Sequence, residues 1–303
     1  MIAKRRKILP AFLLALVMVL STACSSSSGK SQPSDGSSSV AEDDGAFSSV
    51  EQIPDGEITI AETVLYEAEG VTITATGYEE SWSGPQIKIV VENDTKQNLL
   101  VTVQSLSVNG YMMPTASLYA QVAAGKKTND AISLLSSELE QAGIDTIANL
   151  QFYLKIADSD SYDTLISSDL ITLDTSASGY QQPVDDSGEV LYEENGIRII
   201  SRGLQQSPIW DGTFVFLMEN NSGEPITVSA ENVSVNGFME DVSLWSDLRD
   251  GTRLIDGMYL LDLSDLGLES IEDVENIELN FRIIHSDTWE EIVTTDAISL
   301  SFE

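Results

Sequence analysis

The sequence offers few side chains for catalysis. Its 303 residues include one cysteine, Cys24, and one histidine, His285, beside 49 Asp and Glu. A Ser-His-Asp or Cys-His arrangement would depend on His285 as its base, and the pattern around His285 is typical of a strand end before a hairpin turn. Paired carboxylates could serve glycoside hydrolysis, but among so many acids such pairs arise by chance and no spacing stands out. We expect no enzyme, no catalytic residues and no bound cofactor.

One acidic segment has a spacing close to that of a calcium loop. Asp158-Ser159-Asp160-Ser161-Tyr162-Asp163 begins like an EF-hand, but Tyr162 and Asp163 stand where that loop needs Asp or Asn and then glycine. A hairpin turn with a cross-strand aromatic explains the pattern better. We therefore predict no specific metal site.

The charge of the chain limits its partners. Lys and Arg number 15 against 49 Asp and Glu, which gives a formal net charge of -34. Phosphate backbones bind clustered Lys and Arg, so unassisted nucleic-acid binding is excluded. Weak, unspecific binding of divalent cations to so acidic a surface is expected. A single cysteine forms neither an internal disulfide nor a Cys-rich zinc site, so the fold must depend on hydrophobic burial.

The amino terminus has the pattern of an export signal. Four basic residues at 4–7 precede an apolar run at 8–20, which is shorter than the roughly 20 residues that span a bilayer. The small residues Ser21 and Ala23 place a cleavage site directly after Ala23. We therefore predict that residues 1–23 are a signal peptide.

The only cysteine would become the first residue of the mature chain. Leu20-Ser21-Thr22-Ala23-Cys24 resembles the lipobox of bacterial lipoproteins, whose cysteine carries a diacylglyceryl thioether, although Ser21 stands where leucine is commonest. Two acyl chains hold a protein firmly on a membrane, so a modified Cys24 would anchor the chain on the extracytoplasmic face of the cell membrane. Ordinary signal peptidase could also cut after Ala23, which would leave Cys24 as a stray thiol in a secreted protein.

The segment that follows is predicted to be a tether. Residues 24–56 are dominated by serine, glycine and acidic side chains. Such a composition buries too little apolar surface to offset the entropy of ordering. We predict that residues 24–56 are disordered and hold the folded part away from the bilayer.

The remaining chain contains a tandem duplication. Val64-Leu65-Tyr66-Glu67 recurs as Val190-Leu191-Tyr192-Glu193, and Ser107-Val108-Asn109-Gly110-Tyr111-Met112 recurs as Ser234-Val235-Asn236-Gly237-Phe238-Met239. An offset that stays nearly constant over so long a stretch indicates two whole domains rather than short solenoid repeats. We predict a first repeat at 57–175, a linker at 176–188 and a second repeat at 189–303.

Each repeat shows the pattern of an all-β fold. Leu150, Phe152, Leu154 and Ile156 alternate with polar residues, which predicts a half-buried strand, and 277–283 repeats the pattern. The Asn-Gly pairs at 109–110 and 236–237 predict type I′ hairpins. One short helix with a capping box is predicted before Gly143. Many short strands with regularly spaced turns favour a two-sheet sandwich in each repeat.

Three segments carry a resemblance to a known group of domains. They are Gly196-Ile197-Arg198-Ile199, Met218-Glu219-Asn220-Asn221-Ser222 and Ser234-Val235-Asn236-Gly237-Phe238-Met239. Together they resemble uncharacterised immunoglobulin-like domains that lipoproteins of Gram-positive bacteria carry, often in tandem. The resemblance covers 57–303 and implies two tandem immunoglobulin-like β-sandwich domains, with no known activity. No Cys-Trp-Cys signature is present, so antibody-type domains are excluded.

Tryptophans are the first candidates for ligand binding. Trp82 and Trp210 lie in equivalent loops between the second and third strands of their repeats, where recognition often takes place. Alternatively, each indole folds back and caps the core. For Trp245 and Trp289, with Leu118 and Tyr162 as approximate counterparts, packing on a sheet face is an equal alternative to ligand binding.

Two arginines are the second candidates. Arg198 and Arg202 are four residues apart and share a face of one strand, so they could bind an anionic group bidentately. Alternatively, both pair with surrounding acids.

These features favour a non-catalytic lipoprotein. We expect a membrane-anchored binding or cell-envelope assembly module whose partner is an unidentified protein or glycan of the envelope. The alternative is a solute-capture lipoprotein associated with a transporter, although the two lobes of alternating strands and long helices typical of that class are missing. A deep apolar pocket between the repeats would favour this alternative.

Overall fold

The structure, a computed structural model, describes residues 57–206, 212–260 and 263–302. The predicted signal peptide (1–23) and tether (24–56), including Cys24, lie outside the described residues, and so does Trp210. The described chain is all-β, as predicted, with antiparallel sheets and very little helix. Residues Ser49–Glu303 form one compact unit.

Ten strands and one helix form the first repeat. They are β1 (Thr63–Ala68), β2 (Val71–Ser81), β3 (Gly84–Asn93), β4 (Leu99–Val108), β5 (Tyr111–Met112), β6 (Tyr119–Val122), β7 (Lys126–Ser133), α1 (Ser136–Gln141), β8 (Asn149–Asp158), β9 (Thr164–Ser167) and β10 (Ile171–Asp174). The predicted capping box of α1 is wrong, because its N-cap residue is Leu135 and makes no side-chain hydrogen bond. The predicted glycine stop is confirmed, since Gly143 has a φ of 64° after the last turn.

The second repeat has the same succession of strands. They are β11 (Glu189–Glu194), β12 (Ile197–Gln205), β13 (Gly212–Asn220), β14 (Ile226–Val235), β15 (Phe238–Met239), β16 (Trp245–Leu248), β17 (Thr252–Leu260), β18 (Asn276–His285), β19 (Glu291–Thr294) and β20 (Ile298–Ser301). Two 3-10 turns, Leu263–Leu266 and Ile271–Asp273, take the place of α1. The predicted half-buried strands are confirmed as β8 and β18.

Strand order repeats as well. In the first repeat a sheet of order β1-β2-β3-β7 faces a layer in which β10, β9 and β4 pair with β8, and β5 and β6 pair with β4. In the second repeat β11-β12-β13-β17 and the layer built on β14 and β18 follow the same order. The Asn-Gly hairpins are confirmed, because both residues have positive φ in each turn.

Each repeat encloses an apolar core between its two layers. The first core includes Ile73, Ile89 and Phe152, and the second is built around Phe214, Phe216 and Phe281, all fully buried. In the second core the rings of Phe216 and Phe281 meet edge to face with centroids 5.4 Å apart. Burial of such side chains stabilises the fold by about 1.5–3 kcal/mol each.

A buried asparagine organises the same loop in each repeat. Asn220 is fully buried; its amide donates to the carbonyls of Glu224 and Leu248, and its oxygen accepts from the backbone N–H and hydroxyl of Ser222. Asn93 makes the equivalent four hydrogen bonds in the first repeat. Part of the sequence resemblance around 218–222 therefore has a structural cause, because a buried amide needs hydrogen-bond partners for its N–H groups and its oxygen.

The two repeats share one sheet. Short strand β5 of the first repeat pairs in parallel with β17 of the second, with Tyr111 opposite Arg253, which produces a ten-stranded sheet. Ile200 and Leu217 of the second repeat belong to the core of the first, and Met112 of the first belongs to the core of the second. We call this contact between the repeats the junction.

Candidate functional site

Two exposed tryptophans meet on the surface of the second repeat. The ring centroids of Trp245 and Trp289 are 5.8 Å apart and the ring planes are inclined by 35°. Their exposed fractions are 49% and 63%, so neither indole is a core residue. Paired exposed indoles offer a broad apolar surface with polar ring edges, a combination that is common in binding sites.

Backbone geometry holds Trp289 in place. Trp289 lies in the hairpin between β18 and β19, and its N–H donates to the carbonyl of His285 at 2.9 Å. Its φ is 64°, a left-handed conformation that is unusual for a bulky residue. Such a conformation costs on the order of 1 kcal/mol and persists only where surrounding contacts impose it. The hairpin therefore fixes the direction of the indole.

The first repeat carries the same arrangement with tyrosines. Tyr162 also has a φ of 64°, and its N–H donates to the carbonyl of Asp158 at 2.9 Å. The Tyr119 and Tyr162 side chains lie close together, and the interaction of their hydroxyl groups raises the pKa of Tyr162. Both side chains are more than half exposed. Each repeat thus presents one exposed aromatic pair, Tyr119–Tyr162 or Trp245–Trp289, at equivalent positions.

The register of the paired strands corrects the predicted counterpart of Trp245. Tyr119 pairs with Thr102 in the first repeat, and Trp245 pairs with Ser229 in the second. The counterpart of Trp245 is therefore Tyr119 and not Leu118, which is buried. Sequence reasoning missed Tyr119, although a constant offset of 126 between these strands would have found it.

Polar groups surround the tryptophan pair. Ser229 of β14 lies between Trp245 on one side and Arg282 on the other, so the three side chains share one face of the sheet. Arg282 lies 3.2 Å from a carboxylate oxygen of Glu291, and Asp247 is two residues from Trp245 on the same face. Hydroxyl, carboxylate and guanidinium groups therefore surround an aromatic platform.

Trp82 is located at the tip of the β2–β3 hairpin. Its side chain is 99% exposed, so the alternative that it caps the core is wrong for this residue. The Ser81 hydroxyl donates to the Gly84 carbonyl at 2.6 Å and closes the turn. A Cβ at Gly84 would lie 2.5 Å from the carbonyl oxygen of Leu134, so the hairpin packs against the chain at glycine and directs the indole into solvent. Its role in ligand binding stays a prediction.

The two candidate arginines pair with acids. Arg202 contacts the carboxylate of Asp185 at 3.0 Å and donates to the hydroxyl of Ser187. Arg198 lies 3.3 Å from Asp186 and 3.6 Å from Glu219. Hydrogen bonds from Ser187, and then the hydrogen bond and the charge of Arg202, lower the pKa of Asp185 to about 2. Both guanidinium groups thus hold the predicted linker, and their role in binding an anion stays a prediction.

A cavity of about 560 Å³ lies where the repeats meet. Its lining includes Arg202 and Asp185 from one side, Glu140 and Asp145 from the other, and the buried ring of Tyr111. Charged and amide side chains outnumber apolar ones in this lining. The cavity therefore differs from the deep apolar pocket expected of a solute-capture protein.

The remaining residues considered for catalysis or metal binding lie in or beside turns. The Nδ1 atom of His285 lies 2.9 Å from a carboxylate oxygen of Glu224 at a strand end. Asp158 accepts hydrogen bonds from the backbone N–H groups of Ser161 and Asp160, which lower its pKa and close the hairpin that resembled a calcium loop. In the described ranges, no group of three His, Cys, Asp or Glu side chains is placed to hold a metal ion.

No family model and no curated protein matches the sequence. Among solved structures, the YadV chaperone is similar over 72% of this chain and 92% of its own, at 11% sequence identity and a TM-score of 0.22, which is too low to support an argument. No helix within the described parts of the chain is long and apolar enough to cross a membrane.

Proposed function

We propose that this chain is a lipid-anchored extracytoplasmic lipoprotein whose two immunoglobulin-like β-sandwiches form a non-catalytic binding module of the cell envelope. Cys24 would carry the lipid, and residues 24–56 would hold the sandwiches above the membrane. The observation that carries the proposal is the exposed aromatic pair, present at equivalent positions in both repeats with the same positive φ. Two copies of one site on one chain would give a bivalent binder.

The chemistry of the tryptophan pair favours an envelope glycan as partner. A sugar ring presents C–H bonds that pack against an indole face, and hydroxyl groups that donate to carboxylates such as Asp247 or accept from Arg282. The platform consists of two rings surrounded by polar side chains, which suits one or two sugar units. The first repeat has the smaller Tyr119–Tyr162 pair and Lys155 at the position of Arg282, so we expect it to bind more weakly.

The double variant Trp245→Ala and Trp289→Ala tests this proposal. We expect its retention on insoluble envelope polysaccharide to fall at least about tenfold, because paired aromatic anchors of this kind contribute several kcal/mol to a binding site. The measurement is a depletion isotherm with residues 49–303, the compact unit that contains both cores.

Phe238→Ala is the matched control. It removes an aromatic ring of the same repeat that is 59% exposed and lies outside the pair. We expect unchanged retention, and both variants should keep the melting temperature of the wild type because none of these rings is buried. If the polysaccharide does not retain the wild type, or if the control variant loses as much retention as the double variant, glycan binding at the pair is contradicted.

Solute capture for a transporter is the alternative, and the junction cavity is the place it would use. Arg202 is the cation in that cavity best placed to meet an anionic solute. It already contacts Asp185 and Ser187, however, and Asp145 and Glu140 add negative charge. We therefore favour the binding module.

A further inference from the structure

One strand is buried in the first repeat and exposed in the second. Strand β5 contains Tyr111 and Met112, which are 2% and 7% exposed because they lie in the junction. Its equivalent, β15, contains Phe238 and Met239, which are 59% and 69% exposed. Both strands follow an Asn-Gly turn. The second repeat therefore presents, without a described partner, the edge that the first repeat uses for docking.

The junction shows what this edge binds. The backbone N–H of Arg253 donates to the carbonyl of Gly110 at 2.8 Å, and Tyr111 is the register partner of Arg253. Arg253 also contacts Glu219 at 2.6 Å, which fixes the cation beside the tyrosine. Strand β5 thus docks on the outer edge of β17 through backbone pairing. The Arg253 cation next to the aromatic ring of Tyr111 supports the contact.

The first repeat contains an equivalent of this acceptor. Strand β7 pairs with β3 as β17 pairs with β13, so Lys127 and Glu92 occupy the positions of Arg253 and Glu219. Lys127 and Glu92 form the same ion pair. Within the described ranges, the outer edge of β7 makes a single bridge, between Ser117 and Ser133, at the far end from Lys127.

We propose that β15 of one molecule pairs with β7 of a second copy of the chain, head to tail. Phe238 takes the place of Tyr111 beside Lys127, and the carbonyl of Gly237 accepts from the N–H of Lys127. Glu240 and Asp241 follow β15, and the acceptor sheet carries Lys88, Lys126 and Lys127 beside five acidic residues. Lys88 and Lys127 already pair with acids of the same sheet, so backbone pairing and the Phe238 ring carry the contact, and charge does not. A contact between two different surfaces does not close on itself, so it produces open chains of molecules.

This contact is weaker than the junction. The acceptor sheet has Thr74, Lys88 and Val90 on its outer face, where the second repeat has Ile200, Val215 and Leu217. Less apolar area is therefore buried, and the net charge of -34 opposes association at long range. We expect reversible chains that form at high local concentration, as on a crowded membrane surface. The proposal does not depend on glycan binding.

Sedimentation velocity of residues 49–303 tests the association. We expect the weight-average mass to rise between about 10 μM and about 1 mM, the range in which weak contacts dissociate. Phe238→Asp should remove the rise, whereas Trp82→Asp, on a still more exposed aromatic outside the edge, should keep it. A wild type that stays monomeric throughout, or a rise that Phe238→Asp leaves unchanged, overturns the proposal.

Cysteine trapping tests the geometry. The unit 49–303 has no native cysteine. Paired strands place register partners about 5 Å apart, within reach of a disulfide. Lys127→Cys mixed with Phe238→Cys should give a crosslinked heterodimer at least about tenfold faster than Glu67→Cys mixed with Phe238→Cys, because a specific contact raises the local thiol concentration. Glu67 lies on β1, at the opposite edge of the acceptor sheet. Faster homodimers of Phe238→Cys alone indicate a symmetric contact and overturn the proposal.

Discussion

Replacing Leu217 with aspartate should destabilise the protein by about 3–5 kcal/mol and separate the unfolding of the two repeats. Leu217 belongs to the second repeat, but it is fully buried and contributes to the core of the first. Aspartate at this position would lose the apolar contacts and place a carboxylate at the junction. Because the wild-type repeats share a sheet and exchange core residues, we expect the wild type to unfold in a single cooperative transition.

Val90→Asp is the matched control for this prediction. Val90 occupies the position of Leu217 in the first repeat, but its side chain is only half-buried because no strand covers that face among the described residues. We expect a cost below about 1 kcal/mol, as for ordinary surface changes. Urea unfolding followed by tryptophan fluorescence gives the free energy of unfolding. Calorimetry shows whether the two repeats unfold in one transition or in two. Equal losses in the two variants, or a single unchanged transition in Leu217→Asp, would contradict the role assigned to the junction.

Strands β3 and β13, which contain Val90 and Leu217, show how much of the fold could be predicted from the sequence. Strand β3 alternates buried residues with partly or fully exposed ones from Pro85 onwards, and its local pattern predicts a half-exposed strand. Strand β13 is buried at all nine positions, and its run Phe214-Val215-Phe216-Leu217-Met218 is continuously apolar. A continuous apolar run indicates a strand covered on both faces. The sequence signal for the junction is therefore this unbroken apolar run, which β3 in the first repeat lacks.

The candidate site was less predictable for a physical reason. The positive φ of Trp289 and Tyr162 follows from the closure of their hairpins by backbone hydrogen bonds, and neither residue type favours it. Likewise, the ion pairs of Arg198 and Arg202 depend on where the linker crosses strand β12. Local patterns predicted strands and turns. Contacts between segments distant in sequence decide which side chains remain available.

Cys24→Ala should abolish the incorporation of radiolabelled palmitate and move the protein from the membrane fraction to the soluble fraction. The expected effect is all-or-none because the chain has one cysteine. Each buried methylene of an acyl chain contributes about 0.8 kcal/mol to membrane binding, so two chains anchor firmly and their loss releases the protein. Export itself should continue, since Ser21 and Ala23 remain suitable for ordinary signal peptidase.

Ser21→Leu is the informative control for this experiment. It places leucine, the commonest residue, three positions before the cysteine, and leaves Ala23 and Cys24 unchanged. If a lipoprotein pathway processes the chain, labelling of Ser21→Leu should equal or exceed that of the wild type, while Cys24→Ala stays unlabelled. If ordinary signal peptidase alone processes the wild type, the wild type and Cys24→Ala are both soluble and unlabelled, whatever the labelling of Ser21→Leu. Equal labelling of wild type and Cys24→Ala would place the lipid elsewhere and remove Cys24 as the anchor.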